Sequence, residues 1–222
     1  MAYIDFRDPT HWRPKISIPK KSYSDWKLTA LLFFDPKFST SDDLIDLFDF
    51  LHTFSGEDLA ILVHGCTPKI PEGGNPTDCI PIQIGEAKRY YSSKTLKKDV
   101  ETFEENTSWR FSMEIDVILV NRRTWSRGAF AGEELDLDSA MVLNIFRMLR
   151  DKKITSYSSF FGELIRFSKD YSGDDPAWDF SDQKLWKELK LSLFESFRKY
   201  IGFRKFQYKV EDYAINNLAT KD

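Results

Sequence analysis

Asp58, Glu86 and Lys88 are the residues whose types and spacing best suit chemistry on a phosphodiester. In "IGEAKRYY", residues 84–91, a glutamate and a lysine stand two apart at the end of an apolar, strand-like run. Strand alternation points both side chains to one face. The preceding strand-like run, "LAILVHG" (59–65), opens directly after Asp58. Consecutive strands joined by a loop pair most simply as an antiparallel hairpin, and setting His64 against residue 82 brings Asp58 opposite Lys88 and close to Glu86. Two carboxylates so placed hold a hard cation, Mg²⁺ or Mn²⁺, leaving coordination positions for water and phosphate oxygens. A neighbouring lysine orients or helps deprotonate the attacking water, or neutralises charge developing on the phosphate. Asp78 is the rival for the second carboxylate. It precedes Glu86 on the same extended run by a span of roughly 26 Å at ~3.3 Å per residue, too far for one ion unless the chain bends at Pro81 or Gly85. Asp58 is preferred on that ground.

These residues need elements to carry them. "KLTALLFF" (27–34) predicts a buried strand closed by Asp35-Pro36. After it, Leu44, Leu47, Phe48 and Leu51 recur at helical spacing behind the cap candidates of 39–43, which predicts an amphipathic helix ending near Gly56. Strands follow at 59–65 and 79–90, then a helix over 94–106 with Leu96, Val100 and Phe103 on one stripe, then a strand at 113–121. Beyond Gly132 the periodicity turns helical, over 137–151, 157–169 and 182–201. The expected organisation is an irregular arm (1–22), an α/β core (23–131) and a mostly helical C-terminal region (132–222).

The segments "GEDLAILVHG", "IPIQIGEAKRYY", "KTLKKDVETFEEN" and "EIDVILVNRRTW" together resemble the PD-(D/E)xK nuclease superfamily, over residues 57–125. The resemblance implies a restriction-endonuclease-like fold, a small mixed β-sheet flanked by helices. It implies Asp58 and Glu86 as metal ligands, Lys88 as the catalytic lysine, Mg²⁺ or Mn²⁺ as cofactor, and DNA more than RNA as substrate. Asp42, Asp43, Asp46 and Asp49 all stand where many members add a further acid, and the sequence does not choose among them. Members of the superfamily also act as homodimers or as effector subunits beside a partner protein.

Two basic clusters suit phosphates. Lys94, Lys97 and Lys98 fall in the first half of the helix at 94–106, where the macrodipole opposes cations, so nearby phosphates would account for them; Glu101, Glu104 and Glu105 balance them further along. In "FRKYIGFRKF" (197–206), Arg198, Lys199, Arg204 and Lys205 alternate with aromatics, of which Phe197 and Ile201 continue the apolar stripe of the preceding helix.

Composition limits the rest. The 222 residues carry a net charge of -3, so nucleic-acid binding must come from local patches rather than overall attraction. Cys66 and Cys79 are too few for a disulfide framework and are read as thiols; Cys66 and His64 meet as a nucleophile pair only if the strand runs on past Gly65. No apolar run reaches a membrane span and "MAYIDFRDPTHWRPK" has no signal-peptide core, which places the expected chain in the cytoplasm without a membrane partner. From a different class, the chain also fits a non-catalytic interaction or regulatory subunit that docks a protein through its aromatic-rich helices.

Overall fold

The computed structural model describes residues 27–37, 42–54, 58–70, 79–84, 87–107, 109–127, 130–173, 176–177, 179–180 and 214–216. They form a mixed α/β fold with two sheets. Strand β1 (Lys27–Phe34) is followed by two short helices, α1 (Asp42–Ile45) and α2 (Phe48–Phe54), and by β2 (Leu59–Val63). Then come β3 (Cys66–Thr67), β4 (Cys79–Ile84), β5 (Ala87–Ser92) and helix α3 (Ser93–Asn106). The long strands β6 (Ile115–Arg127) and β7 (Phe130–Asn144), helices α4 (Ile145–Arg150) and α5 (Tyr157–Asp170), and β8 (Ala214–Asn216) complete the order. The larger sheet is five-stranded, β2-β1-β6-β7-β8, and the smaller is three-stranded, β3-β5-β4.

Strand β1 lies inside the larger sheet, parallel to β2 and antiparallel to β6. Its apolar run, interrupted only by Thr29, follows from burial on both faces, since every residue from Leu28 to Phe34 is buried. Alternation sends Phe33 to one face, against His64, Phe103 and Trp109, and Phe34 to the other, against Phe48 and Tyr91. These rings join α2, α3 and both sheets in one hydrophobic core. Helix α5 adds Tyr157, Phe160, Phe161, Leu164 and Ile165 at helical spacing, and a reciprocal Ser156–Ser159 capping box fixes its start.

Three expectations are corrected. Strand β2 pairs with β1 rather than with the run at 79–90, because the chain between 34 and 59 is long enough for the crossover that parallel pairing requires. The run at 79–90 is itself a hairpin: Ile84 pairs with Ala87, which leaves Gly85 and Glu86 as its link. The helix expected over 137–151 is strand as far as Asn144, and only Ile145–Arg150 is helical. Here "ELDLD" alternates with period two, and pairing with β6 prevails over the weaker helical spacing. The expected arm at 1–22 and helix at 182–201 lie outside the described residues.

Between β2 and β3 the chain passes from one sheet to the other through His64 and Gly65. His64 N donates to Leu32 O at 2.9 Å, and Gly65 O accepts from Ser92 N at 2.9 Å. Gly65 has φ +83°, and a Cβ there would stand 2.8 Å from Tyr91 Cε2 and 3.0 Å from Leu96 Cβ. Gly65→Ala is therefore expected to lower stability by at least about 1–2 kcal/mol from backbone strain alone, with the contact adding to it. A urea midpoint equal to wild type would contradict this placement.

Candidate functional site

The β4–β5 pairing positions Lys88. Antiparallel register sets Gln83 against Lys88 and Pro81 against Tyr90, so these four share one face. Ile80, Ile82 and Tyr91 take the other and pack into the core. Lys88 is exposed, and its Nζ stands 5.5 Å from the centroid of the Tyr90 ring, a cation–π arrangement. Glu86 lies outside the described residues.

Ser93, the first residue of α3, follows β5 directly. The inner side of this helix carries Leu96, Asp99, Val100 and Phe103, and the outer side the exposed Lys94, Lys97 and Lys98. Lys97 pairs with Glu101 one turn on at 3.7 Å, a solvated pair of little energetic weight. The expected basic positions Arg198, Lys199, Arg204 and Lys205 lie outside the described residues.

Asp58 stands at the start of β2, half-exposed, with Oδ1 3.3 Å from Lys27 Nζ. The hairpin expected to set it against Lys88 does not form, since Lys88 faces Gln83. Asp58 is accessible, but the Lys27 ammonium already occupies its Oδ1, so a cation would have to displace or share that pair. Among the described residues, no group of three or more His, Cys, Asp or Glu side chains is placed to hold a metal ion.

Two clusters of buried polar groups lie among the described residues. In the first, Asp99 Oδ2 accepts from Gly65 N at 3.0 Å and meets His64 Nδ1 at 3.3 Å, tying α3 to the β2–β3 turn. Asp99 and His64 are 2% and 8% exposed. The available signal was a carboxylate on the same stripe as Leu96, Val100 and Phe103, a position apolar by pattern. Cys66 lies in the same region, and burial, reinforced by the Asp99 carboxylate, pushes its thiol up to about 12. A thiol held protonated in this way is no nucleophile at neutral pH.

The second cluster closes the start of β6. Asp116 accepts from Ser112 N (2.9 Å) and Ser112 Oγ (2.7 Å). Glu114 Oε2 accepts from Asn144 Nδ2 (2.7 Å) and Arg147 Nε (3.0 Å), while Asn144 also caps α4. Burial raises the Asp116 carboxyl above its usual value, the Ser112 bonds oppose the shift, and Glu114 adds to it. A carboxyl raised in the folded state contributes stability that is fully present below the ordinary Asp value of about 3.9 and is lost as pH rises through the higher folded value. Asp116→Asn keeps partners for Ser112 and cannot ionise. It is expected to flatten the fall in urea midpoint across this window above pH ~4; parallel wild-type and variant profiles would contradict the assignment.

No family model, curated protein or solved structure matches the chain. No helix among the described residues is long and apolar enough to cross a membrane.

Proposed function

We propose that the chain is a metal-dependent nuclease of the restriction-endonuclease-like kind, acting on nucleic acid and on DNA in preference to RNA. The observation that supports this reading is the exposed Lys88 on β5, the strand that runs directly into a helix with Lys94, Lys97 and Lys98 on its outer side. By the family resemblance, Glu86 and Asp58 would be the carboxylates that hold the cation, with Asp58 carried at the start of β2 beside β1 rather than on a strand paired with the hairpin. When bound, Mg²⁺ or Mn²⁺ would acidify a water and offset charge on the phosphate. Lys88, exposed beside the hairpin link, orients that water or offsets the charge that develops in the transition state. The helix lysines contact backbone phosphates and set the register of the strand without reading its sequence.

A second reading, a non-catalytic subunit that docks a partner protein, is favoured by the Lys27–Asp58 pair and by the β1–β2 pairing, both of which give Asp58 a structural role. Incubation of supercoiled plasmid and labelled single strands with the full chain in Mg²⁺, Mn²⁺ or EDTA separates the two. Metal-dependent nicking that Glu86→Ala abolishes is the expected result. Absence of cleavage in every metal would overturn the nuclease reading in favour of the subunit.

A further inference from the structure

The outer face of the three-stranded sheet has a composition that phosphodiester chemistry does not require. Tyr90 occupies the central strand, with Thr67 across from it on β3 and Pro81 across from it on β4. The next row outward pairs Gln83 with Lys88. Pro81, Gln83 and Lys88 are exposed and Tyr90 is partly so. Opposite to this face, Ile80, Ile82 and Tyr91 are committed to the core, so the tyrosine, the amide and the ammonium are what the sheet shows to solvent.

We propose that this face is a stacking platform for an unpaired nucleic-acid strand, with one base laid on the Tyr90 ring. The proposal rests on the nucleic-acid reading above and names its substrate class as single-stranded. A ring at the centre of a sheet surface matches a free base face, which a duplex hides within its own stack. Lys88, now 5.5 Å from the Tyr90 centroid, gives way to the base and moves to the adjoining phosphate. Lys94 follows two residues after the end of β5, and Lys97, paired with Glu101, and Lys98 lie one turn further on.

The test is fluorescence anisotropy of a labelled oligothymidylate and of a blunt duplex of equal length, titrated with the full chain in EDTA so that nothing is cleaved. Wild type is expected to favour the single strand. Tyr90→Ala should weaken single-strand binding about tenfold, the stacking of one base, while leaving the duplex within about twofold. Tyr90→Phe, which keeps the ring, should bind as wild type does and guards against a folding defect. Equal affinity of Tyr90→Ala and wild type for the single strand, or a wild-type preference for duplex, would overturn the platform. A tyrosine-dependent single-strand preference without cleavage in any metal would support the platform and overturn only the catalytic reading. Cleavage lost in Glu86→Ala, with single-strand binding indifferent to Tyr90, would overturn only the platform.

Discussion

Phe33→Ala is expected to destabilise the protein by about 4 kcal/mol, within the range for deleting a fully buried phenylalanine side chain. Phe33 is 0% exposed and contacts three other rings. His64 stacks on it at 4.1 Å with the planes 2° apart, Phe103 meets it edge-on at 5.2 Å, and Trp109 lies 4.6 Å away. Removing the ring leaves a cavity bounded by α3 on one side and the β2–β3 turn on the other, and both are tied together by Asp99. That tie resists collapse into the cavity, which keeps the cost from falling to the low end of the range. In a domain of this size the change corresponds to a fall of roughly 8–16 °C in Tm. Phe33→Leu, which keeps most of the volume, should cost less than half as much. Urea unfolding with an unchanged slope measures both. A loss under about 1 kcal/mol for Phe33→Ala would show that these rings do not form the centre of the core.

The second large effect concerns rate rather than stability. Lys88→Ala is expected to slow metal-dependent cleavage by about 10²–10³, the usual cost of removing one group that stabilises charge developing in the transition state. Its folding should be untouched, because Lys88 is exposed and its described contact is the face of Tyr90. Lys88→Arg keeps the charge but replaces a compact ammonium by a planar fork, so it should recover strand binding better than rate. Single-turnover cleavage at saturating protein separates the two. If Lys88→Ala raised only the protein concentration needed for saturation, Lys88 would be a phosphate contact and not part of the chemistry.

How far the sequence anticipates this molecule depends on whether a pattern is local. Strand β1 was legible because "KLTALLFF" is apolar but for Thr29 after its first residue, and α5 because Tyr157, Phe160, Phe161, Leu164 and Ile165 admit one helical face. Pairing partners were not, since nothing within "LAILV" specifies β1 over β4; that choice is made by the length of the intervening chain and by burial on both faces. The hairpin at 84–87 was concealed by an alternation that continues on both sides of Gly85. For β7, the apolar run at 140–143 fits either period, and the alternating Leu135 and Leu137 were the better guide. Of the candidate site, the lysines on the outer side of α3 followed from periodicity, whereas the buried Asp99 did not, because a carboxylate inside a helix stripe reads as a surface residue until its partners are known. Likewise the Lys27–Asp58 pair depends on the parallel register, a long-range fact.

The claim that the hairpin at 84–87 is a metal-dependent phosphodiesterase centre is tested most directly by one comparison. Cleavage of a labelled DNA strand in Mg²⁺ is followed for wild type, Glu86→Ala and Lys88→Ala at matched concentration, after thermal melts have shown all three equally folded. The account predicts that wild type cleaves, that EDTA stops it, and that both variants fall by about 10² or more. Cleavage that persists in both variants at the wild-type rate, or a wild-type chain inert in every divalent metal, would contradict it.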